Sequence, residues 1–232
     1  FILQLPDHNN PTRLADPMNQ PRTLEMFTEA RKWNNIMHLR TVGDVNHACL
    51  DGKASELIQV SEALQEKKIV QIAEEISRRH GDKKNPLKVV LISGPSSSGK
   101  TTFCKRISIQ LMACGITPVS MSTDDYFVNR LDTPLLPDGR FDFDNFDTVD
   151  HEMLQQDVIK MLEGEEIEVP EYNFRTGKRE FNGKKMKLDD NSVLLIEGIH
   201  ALNPLLTNKI EDNKKFRIFI STLTCISLDD HN

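Results

Sequence analysis

One short segment of the sequence combines the residue types that a phosphate-binding turn needs. Gly94, Gly99, Lys100 and Thr101 in "GPSSSGKTT" fit the pattern G-x-x-x-x-G-K-[ST], directly after an apolar run. In such a turn backbone amides point at an anion, the lysine reaches the β- and γ-phosphates, and the threonine hydroxyl binds Mg²⁺. The segment therefore predicts a site for ATP or GTP with Mg²⁺; the alternative is a plain Ser/Gly turn. The predicted nucleotide-binding residues are Gly94, Ser96, Ser97, Ser98, Gly99, Lys100, Thr101 and Thr102.

Two carboxylates follow other apolar runs and are candidates for the chemistry of phosphoryl transfer. Asp124 in "VSMSTDDYF" stands at the end of a predicted strand, where a carboxylate can accept the proton of an attacking hydroxyl. Glu197 in "VLLIEGIHAL" follows four apolar residues, and a charge there is costly unless it faces a metal or a partner. We predict Asp124 and Lys100 as catalytic residues and Thr101 with Glu197 as Mg²⁺ ligands. The alternatives are that Asp124 caps a turn and that Glu197 is an ordinary strand end.

The segment between these motifs, "LPDGRFDFDNFDTVDHEML", alternates acidic and aromatic residues. Acidic side chains can hold sugar hydroxyls and aromatic rings can stack on a base. This composition favours a nucleoside over an anionic acceptor. The alternative is a solvated acidic loop with Phe141, Phe143 and Phe146 in the core.

The elements that must hold these residues follow from the hydrophobic pattern after residue 86. "LKVVLIS" and "TPVSMS" have the composition of strands, and "TTFCKRISIQLMACG" between them predicts the helix of a βαβ unit. We further predict a helix in "DHEMLQQDVIKMLEG", a hairpin across "IEVPEYNFRTGKREFNG" and strands in "SVLLIEG" and "KFRIFIS". The predicted fold class is α/β: a P-loop NTPase-type parallel sheet flanked by helices, preceded by a small, mainly helical N-terminal domain.

The first part of the chain has a different pattern. Its prolines predict an extended linker up to about residue 20, and helical periodicity follows in "RTLEMFTEARKWNNIM" and "ASELIQVSEALQEKKIVQIAEEISRRHG". The polar break "HGDKKNP" is the predicted domain boundary, with residues 1–82 before it and 83–232 after it.

Composition excludes several classes of protein. The chain has 232 residues and a formal net charge of -6, which argues against a nucleic-acid coat as its main role. No apolar run has membrane-spanning length, and the four cysteines form no CxxC pair. We expect a cytoplasmic protein with reduced thiols and no membrane partner; the oligomeric state stays open, a homo-oligomer included.

Five segments in this order resemble the uridine kinase (uridine-cytidine kinase) family, within the group that includes phosphoribulokinase and pantothenate kinase: "GPSSSGKTT", "STDDYF", "FDFDNFD", "VPEYNF" and "LLIEGIHAL". The resemblance covers residues 87–232. It implies that Asp124 receives the proton of the ribose 5'-hydroxyl and that Thr101 and Glu197 serve the magnesium.

The same resemblance implies roles on the acceptor side. Asp144 matches the carboxylate that holds the ribose hydroxyls, and Phe143, Tyr172 and Phe174 match aromatic positions around the pyrimidine. Gly177 departs from the family, because several members carry a histidine there that reads the base edge. The base preference is therefore open.

The resemblance also bears on the two ends of the chain. The family has a lid after the fourth strand, with arginines that close over the phosphates, and this sequence ends before it. Residues 1–232 alone are therefore expected to bind nucleotide weakly and to turn over poorly or not at all, whereas a longer chain with the lid is expected to phosphorylate uridine or cytidine. The N-terminal helices are similar to a region found before uridine kinase domains in some bacterial proteins, which resembles the second domain of threonyl-tRNA synthetase. His38 and His47 are then either remnants of a tRNA-editing site or structural residues.

These observations leave three hypotheses for the function. The first is ATP-dependent phosphorylation of the 5'-hydroxyl of uridine or cytidine. The second is a kinase of another small alcohol, such as pantothenate or a sugar phosphate; a phosphorylated acceptor would need basic residues near Asp144, where only Arg130 and Arg140 are found. The third is a non-catalytic nucleotide-sensing or RNA-associated module.

Overall fold

The computed structural model describes residue 12, residues 21–222 and residues 226–229. Its contacts divide the chain into two compact units, one of residues 1–64 with 223–232 and one of residues 65–222. The linker predicted for the first twenty residues lies outside the described residues, apart from residue 12.

The first unit contains helices α1 (Pro21–Ile36) and α2 (Val42–Leu50) and the beginning of α3 (Ala54–His80). α2 begins at a capping box, in which the Thr41 hydroxyl accepts from the Asp44 amide at 3.2 Å and the Asp44 carboxylate accepts from the Thr41 amide at 2.8 Å. This reciprocal capping satisfies two amides that a helix start leaves unpaired. The hydrophobic pattern predicts α1 and α3 but not α2, whose 9 residues are too few to show a clear period.

The second unit alternates strands and helices. In chain order its elements are β1 (Val89–Ser93), α4 (Lys100–Ala113), β2 (Thr117–Ser122), α5 (His151–Leu162), β3 (Ile167–Glu168), β4 (Glu171–Asn173), β5 (Lys178–Glu180), β6 (Lys185–Met186), β7 (Ser192–Glu197) and β8 (Lys215–Phe219). Four strands form a parallel sheet in the order β2-β7-β1-β8. β4 pairs with β5, and β3 with β6, in antiparallel fashion. The predicted parallel sheet flanked by helices is confirmed.

The central strands are buried on both faces, as expected of a parallel sheet between two layers. Val89 and Leu91 of β1 belong to a cluster that includes the apolar side chains of α5. Val90 and Ile92 point to the opposite face and belong to a cluster with α3 and α4. Because successive side chains of β1 point to opposite faces of the sheet, this one strand contributes apolar residues to both core clusters.

The second half of α3 packs on this second core. Ile69, Ala73 and Ile76 are buried there with side chains of α4, and Glu66 of α3 accepts from Arg106 Nε of α4 at 3.0 Å. The division between the compact units therefore falls inside α3, between residues 64 and 65, whereas the sequence predicts a boundary at 82/83. The polar break marks the end of the helix, but packing decides to which core the helix belongs.

No described helix combines the length and the apolar composition that crossing a bilayer requires. Cys49, Cys104 and Cys114 are free thiols, and Cys225 lies outside the described residues. Burial raises the pKa of the Cys104 thiol, which is expected of a packing residue rather than a reactive one.

Candidate active site

Three strands of the parallel sheet end at the same level. Glu197 at the end of β7 is in register with Ile92 of β1 on one side and with Ser122 of β2 on the other. The loops after these strands therefore begin side by side, at the edge where open α/β sheets bind ligands. Gly198 donates its amide to the Ile92 carbonyl at 3.1 Å, and a Cβ at this glycine would overlap the side chain of Thr123. The glycine thus lets the loops after β2 and β7 approach each other.

The loop after β1 carries the predicted phosphate-binding turn, and its backbone suits that role. Ser97 and Gly99 have positive φ angles of 60° and 89°. Gly94 is buried, and a Cβ there would meet the carbonyl oxygen of Ile220. α4 begins at Lys100 without a side chain that caps its first amides. These N–H groups are available to an anion.

The side chains of this turn fit a magnesium nucleotide. Ser98 has a buried hydroxyl without a hydrogen-bond partner, for which a phosphate oxygen is a suitable acceptor. Lys100 Nζ donates to the Pro95 carbonyl at 2.8 Å, and Thr101 Oγ1 donates to Glu197 Oε1 at 2.9 Å. A hydroxyl and a carboxylate placed together in this way are the oxygen ligands that Mg²⁺ prefers.

The remaining predicted nucleotide-binding residues are open to ligands. Ser96 is exposed on the turn and Thr102 is exposed in the first turn of α4. Within the described part of the chain, no three His, Cys, Asp or Glu side chains cluster as a protein-only metal site would need. A cation at Thr101 and Glu197 would thus take the rest of its coordination from phosphate oxygens and water, as Mg²⁺ commonly does.

Asp124 lies in a short 3-10 helix, Thr123–Tyr126, that follows β2 directly. Its amide donates to the Ser122 hydroxyl at 3.3 Å, which caps the start of this helix. Beneath it, the buried Tyr126 donates its hydroxyl to Asp157 Oδ2 of α5 at 3.1 Å. The candidate base is therefore held on a backbone that is anchored at both ends.

The charges around Asp124 tie it to the phosphate-binding turn. Burial raises the pKa of the Asp124 carboxyl and the charge of Glu197 raises it further, whereas Lys100 and His200 lower it. The structure thus brings the predicted catalytic residues Asp124 and Lys100 to the same edge as the predicted metal ligand Glu197.

His200 joins this edge to the acidic and aromatic loop. Its Nε2 lies 2.9 Å from the carbonyl oxygen of Asp144. Phe146 packs edge-on against His200, with ring centroids 5.5 Å apart, and stacks on His151 at 4.7 Å. The sequence does not predict a role for His200; its position just beyond the strand-end carboxylate Glu197 was the available signal.

The loop presents part of its aromatic surface to solvent. Asp144 is exposed, and Phe143 and Phe141 are 38% and 36% exposed with ring centroids 6.0 Å apart. Only Phe146 packs against the core cluster of the second unit. The reading in which all three phenylalanines are core residues is therefore wrong for two of them.

Three aromatic side chains contact one another, two on the hairpin and one in the segment that follows Asp124. The rings of Tyr172 and Phe174 are 5.0 Å apart, and Phe127 contacts them at 5.4 and 6.1 Å. Tyr172 is buried and its hydroxyl has no hydrogen-bond partner, while Phe174 is 59% exposed. The structure thus brings together two of the three predicted base-binding aromatics, whereas Phe143 contacts Phe141 instead. Phe127 was not predicted, although it stands three residues after Asp124.

The fold and this edge define a P-loop domain of the kinase type, with a carboxylate opposite the phosphate-binding turn. The family model described as "Phosphoribulokinase / Uridine kinase family" matches residues 89–229. The chain belongs to this family.

Several relatives carry names that include uridine kinase. A uridine kinase of Ureaplasma parvum is 30% identical over 139 residues, which are 60% of this chain and 64% of that protein. Uridine-cytidine kinase A of Dictyostelium discoideum is 30% identical over 142 residues, 61% of this chain and 26% of that one. The structure of a possible uridine kinase from Bacillus stearothermophilus has a TM-score of 0.52 at 23% identity, covering 66% of this chain and 79% of that chain, and shows the fold. The chain thus spans less than two thirds of the length of the Ureaplasma protein.

Proposed function

We propose that the protein transfers the γ-phosphoryl group of ATP, or GTP, to the 5'-hydroxyl of uridine or cytidine. The observation that carries this proposal is that Asp124 shares a sheet edge with the phosphate-binding turn and the Thr101–Glu197 pair. The names of the relatives, uridine kinase and uridine-cytidine kinase A, support the choice of acceptor.

On the nucleotide side, the N–H groups of Ser96, Ser97 and Gly99 and the N-terminus of α4 bind the phosphates. Lys100 Nζ exchanges its bond to the Pro95 carbonyl for the β- and γ-phosphate oxygens. Thr101 and Glu197 hold Mg²⁺, which when bound neutralises the charge that develops on the phosphate oxygens. Positioning and charge stabilisation of this kind supply most of the catalysis in phosphoryl transfer.

Asp124 acts as the base. As the 5'-oxygen bonds to the γ-phosphorus, the bond between that phosphorus and the β,γ-bridging oxygen breaks, and its electron pair leaves with ADP. The Asp124 carboxylate takes the hydroxyl proton. Burial and the neighbouring Glu197 raise its pKa, which makes it a better proton acceptor than an exposed aspartate.

On the acceptor side, Asp144 binds the ribose hydroxyls, and Phe143, Tyr172 and Phe174 contact the base. An uncharged acceptor suits this region, because its loop is acidic and like charges repel. Arg140, the one basic residue of that loop, donates to Asp138 Oδ2 at 2.8 Å. Arg140 is therefore engaged locally, whereas Arg130 has no ion pair among the described residues, so the acceptor screen below also includes a sugar phosphate.

The test is nucleoside-dependent ADP release by the full-length protein with ATP and Mg²⁺. We expect release, together with a new nucleoside monophosphate, with uridine or cytidine and not with pantothenate or a sugar phosphate. ATP turnover that no nucleoside stimulates would contradict the proposal and favour a nucleotide-sensing module.

We also infer that residues 1–82 form a threonyl-tRNA synthetase-like accessory segment. The family match begins only at residue 89, after α1, α2 and α3. His38 and His47 are exposed and open to a ligand. Filter binding of tRNA to the full-length protein tests this: we expect binding that the double change His38→Ala with His47→Ala weakens, and absence of any tRNA binding would contradict it.

A further inference from the structure

Gly177, at the turn of the hairpin, makes room for an arginine. It has a φ of +70°, and a Cβ built on it would lie 2.8 Å from Cβ and 2.9 Å from Nε of Arg130. The Arg130 amide donates to the Gly177 carbonyl at 2.8 Å, which fixes the two backbones side by side. The Arg130 side chain therefore occupies the space that a side chain at position 177 would take.

The Arg130 guanidinium has donors to spare. Its Nη2 donates to the Phe174 carbonyl at 2.5 Å, and none of the ion pairs among the described residues includes it. By contrast, Arg179 of the same hairpin is paired with Asp150 at 2.8 Å. A guanidinium carries five N–H groups in a planar fork. Arg130 is half-buried and keeps most of this fork for another acceptor.

The surroundings of Arg130 suit a planar ligand. Its Nη2 donates to the backbone carbonyl of Phe174, whose exposed ring belongs to the aromatic group with Phe127 and Tyr172. The buried Tyr172 hydroxyl in this group is a second polar group without a partner. Asp124 precedes Phe127 by one short turn, and the Phe127 amide donates to the Asp124 carbonyl at 3.3 Å. The aromatic group that begins three residues after the proposed base thus has an exposed ring at Phe174, and Arg130 donates to the backbone of that same residue.

We propose that Arg130 determines the specificity for the nucleobase by donating two parallel hydrogen bonds to two adjacent acceptors on its edge. This inference rests on the proposed function and deepens it. Cytosine presents N3 and O2 side by side, and guanine presents O6 and N7, the edge that arginine reads most often in nucleic acids. Uracil interrupts the same pattern, because its N3 carries a hydrogen and donates. Arg130 therefore selects cytidine over uridine among pyrimidine nucleosides, and guanosine among purine nucleosides if the site admits the larger ring.

The experiment compares kcat/KM of the full-length protein for cytidine, uridine, guanosine and 3-deazacytidine, which lacks the N3 acceptor. We expect the wild type to prefer cytidine or guanosine over uridine by about 10- to 100-fold, the discrimination of one bidentate arginine pair. Arg130→Ala removes this preference and leaves uridine nearly unchanged. Arg130→Lys keeps the charge but not the fork, so it also loses the preference. The matched control is Arg78→Ala, an exposed arginine of α3 paired with Glu75.

The outcomes separate the two proposals. If the wild type phosphorylates nucleosides but Arg130→Ala and Arg130→Lys lower kcat/KM for all of them alike, or change none, the specificity role is wrong and the kinase proposal stands. If the wild type phosphorylates no nucleoside, both are wrong. If the wild type used 3-deazacytidine with the same kcat/KM as cytidine, the proposal of two parallel hydrogen bonds would also be wrong. Thermal melting of both variants shows whether they fold, and the two substitutions provide independent results.

Discussion

The nucleotide side and the acceptor side of the site differ in how the chain builds them. The phosphate-binding turn is one continuous stretch, residues 94–102, and it works chiefly through backbone amides and left-handed angles at Ser97 and Gly99. The proposed acceptor side draws on three separate stretches around residues 124–130, 141–146 and 171–180, and in the proposal it binds through side chains. A backbone site can therefore be read as a motif, whereas a side-chain site has to be assembled by the fold.

The largest expected effect falls where the two sides meet. Asp124→Asn removes the base but keeps the size of the side chain, so we expect kcat to fall by about 10²- to 10⁴-fold while nucleotide affinity persists. ADP release and ATP titration measure the two quantities. Asp190→Asn, at an exposed carboxylate, is the control and leaves kcat unchanged.

The pH dependence gives a second check on Asp124. Its raised pKa in the free protein places the acid limb of kcat/KM above the ordinary value of 3.8, since the base must be ionised, and kcat/KM falls about tenfold per pH unit below that pKa. The same raised pKa means that ionisation of Asp124 destabilises the folded protein as pH rises through this window. The melting temperature of Asp124→Asn at neutral pH should therefore be no lower than that of the wild type. If the variant had the same kcat as the wild type, Asp124 would have no part in the mechanism.

A backbone substitution tests the sheet edge where the two sides meet. Gly198→Ala places a methyl group on the buried Thr123, and we expect the free energy of unfolding to fall by about 2 kcal/mol or more. Gly81→Ala is the matched control, because its Cβ has only ordinary contacts at 3.5 Å or more. Urea denaturation compares them; equal stability of the two variants would show that the strand ends can move apart freely.

Tyr126→Phe tests the support beneath the acceptor side. It leaves the buried Asp157 without its hydroxyl donor, at an expected cost of about 1 to 2 kcal/mol. Burial raises the pKa of Asp157 and the Tyr126 hydrogen bond lowers it, so the variant's Asp157 has a pKa higher still. The loss of stability should therefore grow as pH rises through the raised pKa of Asp157 in the wild type toward the higher pKa in the variant. Urea denaturation at two pH values measures this. Tyr172→Phe, which removes a hydroxyl without a partner, should cost less stability; the reverse order would contradict the packing described for Tyr126.

The smallest effect is expected outside both sides, at the contact between α3 and α4. Glu66→Gln weakens a partly exposed ion pair with Arg106 and should cost less than about 1 kcal/mol. The Arg106 hydrogen bond lowers the pKa of Glu66, so this stabilisation is present above the ordinary value of 4.5 and is lost as pH falls through the lowered pKa. Urea denaturation at pH 7 measures the loss in the free energy of unfolding, with Glu74→Gln as the control. The KM for ATP and for nucleoside should not change.

Much of the fold can be predicted from local pattern, and so can the position of the proposed phosphate-binding turn between β1 and α4. β1, β2, β7 and β8 follow from short apolar runs, and the phosphate-binding turn follows from its glycines and lysine. α2 was not predictable, since its start depends on the cap between Thr41 and Asp44 rather than on hydrophobic period. The division within α3 was also not predictable, because it depends on which core receives Ile69 and Ala73.

The acceptor side shows where prediction from pattern ends. Phe127 and His200 lie in the segments that the sequence analysis singled out for Asp124 and Glu197. Nothing in the neighbouring sequence distinguishes them from ordinary packing residues. Their partners, Phe174 and the Asp144 carbonyl, are 47 and 56 residues away along the chain. Contacts at such separations depend on the strand order and on the path of the loops.

By itself, the sequence determined the phosphate-binding turn, the parallel strands before and beside it, and the strand-end carboxylates Asp124 and Glu197. Each of these depends on neighbours within a few residues, which hydrophobic period and glycine conformation already dictate. Only the tertiary structure decided that Glu197 reaches Thr101, that Phe127 joins Tyr172, and that Arg130 fills the space beside Gly177. The first contact exists because the register of β1, β7 and β2 brings their loops to one edge. The other two depend on where the separate β4–β5 hairpin packs, and both register and packing are properties of the folded chain.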